Sequence, residues 1–251
     1  SENGVLPERY RRFPDPWTVL AAAAATTERI RLGTLIALVA EHNPLVLAKV
    51  IATVDQLSRG RVDVGVGLGW NPLEMRNNGV DPARKRAILT EKIAAMRELW
   101  SGDAVSFDGE FVSFTSSWSL PAPVQSGGPR IHLGCAPNSR NLAQVVEIAD
   151  GFFPMSAMVE DDFAGVVARL RDRAAAAGRD PDAIQISVAH TGTSWGRADL
   201  EKFMRRLPSE AQLEAYRRHG VSRVVCSIPA GPDDLAERAL DAWMVRCGLD
   251  T

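Results

Sequence analysis

The sequence has no marked excess of either charge: 29 Lys+Arg stand against 31 Asp+Glu over 251 residues, a formal net charge of -2. Without a basic surplus to neutralise a phosphate backbone, no nucleic-acid partner is expected. Cysteine is scarce, with Cys135, Cys226 and Cys247 in no C-x-x-C arrangement. That excludes a disulfide framework and a thiolate metal cage, and it suits a reducing, cytoplasmic compartment. No apolar run approaches the roughly 18 residues of a membrane span. Residues 1–15 lack the apolar core of a signal peptide, so no membrane association is expected. The four histidines form no H-x-H, H-E-x-x-H or carboxylate–histidine cluster, so no metal is expected. There is no G-x-S-x-G elbow, which removes a common hydrolase reading.

What is present, 45% hydrophobic and 24% charged residues, is the composition of a folded soluble protein. Residues 16–27 read as a helix opened by proline, and residues 30–38 (IRLGTLIAL) as a strand buried on both faces. Asn43-Pro44 opens a second helix through Leu57, and Ser58-Arg59-Gly60 breaks it before a strand over residues 61–67. Residues 83–100 form an amphipathic helix. Residues 101–129 are an excursion with a small hairpin, its strands near 105–107 and 110–114. Strands at 130–134, 151–154, 183–190 and 221–227 then alternate with helices to the end of the chain. Six strands with helical connections and no composition-marked linker predict one α/β domain over residues 1–251. It is either an open doubly wound sheet or a closed (β/α)8 barrel.

In either architecture a ligand belongs at the carboxyl ends of the strands. The run GCAPNS, from Gly134 to Ser139, joins a strand-ending glycine to a helix start, which suits an anion or an ordinary cap. Gly65, Gly67 and Gly69 lack the helix that a dinucleotide fingerprint requires, because Trp70-Asn71-Pro72 follows. They admit either a flat ring lying beside Trp70 or a bulky core neighbour. His42 beside Glu41 follows a buried strand and is either a proton-transfer group or a rim residue. His190 is a second pocket candidate, His132 has no assigned facing, and His219 reads as a helix cap. Cys135 has no adjacent base and reads as a small pocket residue. With neither metal nor nucleophile in evidence, glycines, Trp and small polar groups suggest a cofactor cradle.

Taken together, residues 27–114, including GTLIALVAEHNP and RVDVGVGLGWNPLEM, and the later PRIHLGCAPNSRNLAQVVEIADGFFP, closely resemble the bacterial luciferase-like superfamily, especially its deazaflavin (F420)-dependent branch. The resemblance implies a (β/α)8 TIM barrel with the ring at the carboxyl ends of the strands. It implies that Gly33, Thr34, Leu35 and Ile36 back the ring on a distorted strand, often with a non-prolyl cis peptide. Leu68, Gly69 and Trp70 would flank the ring or its chain. Gly134, Cys135, Ala136, Asn138 and Ser139 would cradle a phosphate, and the excursion at 101–129 would be the family's variable insertion.

Two departures qualify this. The family's opening β-α-β unit is not in this chain, and Asn3 stands where its second strand commonly places a histidine. Asn3 and His42 are therefore the candidate catalytic residues. Leu68 replaces an arginine that some flavin-using members use for phosphate, which favours F420 over FMN. The expected activity is hydride transfer between F420 and a small organic substrate. One alternative is an FMN-dependent monooxygenase using O2 and reduced flavin supplied by a reductase partner. Another is a non-catalytic cofactor- or ligand-binding barrel. The resemblance is also compatible with a homodimer.

Overall fold

Three helices begin on an Asx-Pro pair, and the reason is local. In the computed structural model, which describes residues 13–190, 200–205, 207–228 and 233–248, Asp15, Asn43 and Asn71 cap α1 (Pro16–Thr26), α2 (Pro44–Ser58) and α3 (Pro72–Asn77). Each cap oxygen accepts a first-turn N–H, such as Leu45 N at 3.0 Å on Asn43 Oδ1. The proline behind it brings no N–H that would need a partner. The sequence assigns no element where α3 lies, because six residues are too few to show a helical period.

The described residues fall within two compact units, Ser1–Cys135 with Ala143–Gly151, and Ala136–Leu142 with Phe152–Thr251. In the first, β1 (Leu32–Gly33) and β2 (Val62–Gly67) pair in parallel, Leu32 with Val62 and Gly33 with Asp63. The strand expected over residues 30–38 is therefore mostly not a strand. Ala37 rejoins β2 opposite Val66, so four steps from Gly33 to Ala37 face three from Asp63 to Val66. One extra residue makes this a bulge. The Thr34 hydroxyl closes it by donating to the Gly65 carbonyl at 2.7 Å, and the Ala37 N–H donates to the same oxygen at 2.7 Å.

After α4 (Lys85–Leu99) the chain forms a hairpin, β3 (Val105–Asp108) and β4 (Ser113–Ser117). Its second strand starts three residues later than expected. The N–H groups of Glu110, Phe111 and Val112 donate to the Glu91 carboxylate of α4 at 3.0, 2.6 and 2.6 Å, which makes them the turn. Then β5 (Arg130–Gly134) pairs with β2 in parallel, placing Gly65 beside His132 and Gly67 beside Gly134. Val64, Val66, Leu133 and Ile131 are fully buried, as are Leu89, Ile93 and Met96 of α4. Trp100 Nε1 donates to the Ala48 carbonyl at 3.0 Å and ties the end of α4 to α2.

The chain continues through α5 (Ser139–Ile148), β6 (Gly151–Phe152), α6 (Phe163–Ala176), β7 (Gln185–His190), α7 (Leu200–Met204), α8 (Glu210–Arg218), β8 (Val221–Cys226) and α9 (Asp233–Cys247). In the second unit β7 pairs in parallel with β8, and Met155 bridges to Ala189. Ser209 and Gln212 form a reciprocal capping box at the start of α8. Val188 packs with Leu213 and Tyr216 beneath that helix. The order is that of an α/β fold with parallel strands served by helices.

Candidate functional site

The carboxyl ends of β1 and β2 carry most of the residues singled out from the sequence. Close packing dictates the two glycines there. A Cβ on Gly65 would lie 2.1 Å from the Thr34 carbonyl oxygen, and one on Gly67 would lie 2.0 Å from Ile36 Cδ1. The space beside these glycines is filled by the bulged segment, so the bulky-neighbour reading applies. A ring slot directly against the β2 glycines is not what they provide. The bulge instead leaves Leu35 45% and Ile36 36% exposed, and Trp70, in the loop after β2, is 54% exposed. The Leu35–Ile36 peptide is cis.

Cations brace the loops around this ledge. Lys85 Nζ donates to the Gly69 carbonyl at 3.0 Å, and Lys92 Nζ donates to the carbonyls of Ala40 and His42 at 2.6 and 2.7 Å. The two lysines are seven residues apart on α4, two turns along one face, a spacing the sequence reading did not use. Gly69 has φ +70°, and a Cβ there would lie 2.6 Å from Met75 Cε and 3.2 Å from Glu41 Oε1. The other oxygen of Glu41 accepts from Asn78 Nδ2 at 3.0 Å. Burial and then the nearby Glu74 charge hold the Glu41 carboxyl above its ordinary range, with Asn78 and Lys92 acting against them. Partial burial and then Lys92 push the His42 imidazole below its ordinary range. His42 as a whole residue is exposed.

The second group lies at the start of α5. Asn138 Oδ1 accepts the Asn141 N–H at 2.9 Å, and Asn141 Nδ2 donates to the Ala136 carbonyl at 2.7 Å. Arg173 of α6, which the sequence reading did not single out, donates to Ser139 Oγ at 2.8 Å. The junction is thus a capped helix start with a guanidinium beside it. Preceding it, Cys135 is buried, and desolvation pushes its thiol up to about 12. A thiol held protonated in this way is a poor nucleophile.

The other three histidines have their own neighbours. His190 Nε2 lies 3.0 Å from the Tyr216 hydroxyl of α8, on the helix side of β7 where Val188 also packs. His132 is buried with Nε2 3.9 Å from Asp63 Oδ1. His219 ends α8 and its N–H donates to Ala215, the cap expected of it. Asn3 lies outside the described residues. Among the described residues no group of three or more His, Cys, Asp or Glu could hold a metal ion. No helix among them is long and apolar enough to cross a membrane.

Residues 3–233 match the family model for luciferase-like monooxygenases. The Mycobacterium tuberculosis protein Rv0953c is 46% identical over 231 residues, spanning 89% of this chain and 81% of its own. The solved structure of the monooxygenase RslO1 from Streptomyces bottropensis is similar with a TM-score of 0.73 at 25% identity, over 93% of this chain and 82% of that one. An F420-dependent secondary alcohol dehydrogenase, solved with an F420-acetone adduct, shares the fold with a TM-score of 0.74 at 18% identity, over 97% and 87% of the two chains.

Proposed function

Because the chain belongs to the luciferase-like monooxygenase family and has its α/β fold, we propose that this oxidoreductase transfers a hydride between coenzyme F420 and a small organic substrate. The observation that carries the reading is the apolar ledge of Leu35, Ile36 and Trp70 at the carboxyl ends of β1 and β2. A deazaflavin, when bound, supplies the hydride-carrying carbon. The residues present fit such a group: the ledge offers apolar surface and an indole to a flat ring. Gly33 and Thr34 anchor the ledge from beneath, while Leu68 and Gly69 carry the chain to Trp70.

The start of α5 suits the anionic part of the cofactor. Ser139 and Arg140 open the helix, the Asn141 N–H is held by the Asn138 cap, and the Arg173 guanidinium lies beside Ser139. We assign Gly134, Cys135, Ala136, Asn138 and Ser139 to that group. His42, whose imidazole burial and then Lys92 hold below its ordinary range, is assigned uptake of the proton when an alcohol is the hydride donor. The candidate role of Asn3 rests on the family resemblance alone. The likeness to RslO1 favours a second reading, a monooxygenase supplied with reduced FMN by a reductase.

Parallel titration of the purified protein with F420 and FMN, followed by their fluorescence, distinguishes the two. Saturable F420 binding, weakened by Trp70→Ala, is the expected result. Binding of FMN alone overturns the first reading in favour of the second.

A further inference from the structure

Beyond the Ala37 bridge, Val39–Glu41 make one turn of 3-10 helix, and His42 is the residue that ends it. The last carbonyls of such a turn have no partner within it. Lys92, half-buried on α4, serves two of them: its Nζ donates to the Ala40 carbonyl at 2.6 Å and to the His42 carbonyl at 2.7 Å. Burial works against this ammonium and the Glu41 carboxylate supports it, so the turn holds a cation at a cost that a neutral donor would not incur. The cation is bonded to the backbone of the same residue whose imidazole is assigned the proton.

We infer that Lys92 is the positioning residue for proton transfer at His42: one ammonium bonds both carbonyls of the turn that carries the imidazole and stands as a fixed positive charge beside it. The inference rests on the reading of His42 as proton acceptor in alcohol oxidation. There the hydroxyl proton of the alcohol passes to the imidazole while its carbon-bound hydrogen leaves as hydride to the deazaflavin, and only an unprotonated ring can take that proton. A neighbouring cation disfavours a second positive charge on the ring. Burial and then Lys92 hold the imidazole below its ordinary range, with Asp15, the cap of α1, acting against them. Asp15 is exposed and screened by solvent, whereas Lys92 is half-buried and fixed by two bonds, so the cation prevails. Glu41, adjacent in the chain, is engaged by Asn78 Nδ2 at 3.0 Å, and its charge bears on Lys92. The consequence is a group that goes on accepting protons at a pH where an ordinary histidine is already charged.

Proton uptake by His42 is read from the ring C–H resonances in NMR, on the full chain without cofactor, with His42→Gln identifying the signal. Lys92→Gln keeps a donor for one carbonyl and removes the charge, so its His42 midpoint should rise toward the ordinary value of about 6.5. Lys92→Arg keeps donors and charge and should titrate like the parent. Asp15→Asn keeps the cap oxygen and removes the opposing charge; it should lower the midpoint, and it serves where replacing Lys92 loosens the fold. With F420 and an alcohol, the acidic limb of the kcat/KM pH profile should move up in Lys92→Gln and stay in Lys92→Arg. A His42 midpoint unmoved or lowered by Lys92→Gln, or raised equally by Lys92→Arg, overturns the inference, because Lys92 then only braces the turn. So does a limb that stays in place while the midpoint moves. Midpoints that shift as stated in a protein that binds no F420 support the coupling of Lys92 to His42 and overturn the cofactor reading instead.

Discussion

The two ends of β1 and β2 are built on opposite principles. At the amino ends, polar groups are saturated. Arg31 donates to both oxygens of the buried Asp63 at 2.7 and 2.8 Å. Asp55, fully buried, accepts from Val124 N, Gln125 N and Gln125 Nε2. Arg61 donates to the carbonyls of Ala24, Thr27, Ile30 and Ser58, closing the end of α1 with a cation where the helix dipole favours one. At the carboxyl ends, by contrast, Lys85 and Lys92 point their ammonium groups at backbone carbonyls, and the outward surface is Leu35, Ile36 and Trp70. Polar bonding fixes the strands from below and the loops from the side, and the outward surface at the carboxyl ends is apolar. Barrel enzymes divide stability and function between the same two ends.

That division can be tested where the two ends join. Gly65→Ala should have the largest effect, because its Cβ would meet the Thr34 carbonyl, which cannot rotate away as a side chain could. A loss of about 3 kcal/mol or more is expected, read as the urea midpoint, with the ledge disordered as well. Asp63→Asn should come next. It leaves the half-exposed Arg31 without its carboxylate and costs about 2 kcal/mol. Its F420 affinity should match that of the unaltered protein once folding is corrected for. A loss of affinity as large as the loss of stability would erase the distinction between the ends.

Much of this arrangement is readable in the sequence, and what is not has identifiable causes. Proline and Asx at positions 15–16 and 43–44 announce helices because capping is a local property. The run IRLGTLIAL reads as a continuous strand because hydrophobicity says nothing about which residue is the extra one in a bulge. Gly65 and Gly67 signal close approach, but the approaching groups, the Thr34 carbonyl and the Ile36 side chain, are distant in the sequence and chosen by strand register. Lys85, Lys92 and Arg173 are not marked out in the sequence, for a related reason. A lysine on an amphipathic helix normally faces solvent, and only tertiary placement reveals that its target is a carbonyl. His190 was ambiguous in the sequence because its facing depends on strand parity, which Tyr216 resolves.

Trp70→Ala examines the open end alone. The indole is half in water and should contribute little to folding, so the stability change should stay within about 0.5 kcal/mol. Affinity for F420 should fall by about three- to tenfold, the worth of an aromatic contact. The ratio of the two effects is the useful quantity: for Asp63→Asn it should be reversed.

The smallest expected effect concerns Glu41, which borders the open end yet is partly withdrawn from water. Burial, followed by the Glu74 charge, raises its carboxyl pKa above the unfolded value, outweighing Asn78 and Lys92. Between those two pKa values the folded protein holds more protons than the unfolded chain. The contribution of this group to stability therefore falls as pH rises through the folded pKa, and it stays lowered at neutral pH. Glu41→Gln keeps an oxygen for Asn78 and removes the charge. The variant should be more stable than the parent near pH 7 by a few tenths of a kcal/mol at roughly this exposure. The gap should close as pH falls below about 4, where both carboxyls are protonated. Urea midpoints of the two proteins across that range test the sign. A parent that is more stable at neutral pH would mean that Lys92 and Asn78 outweigh burial, making this carboxylate a saturated support like Asp63 at the other end.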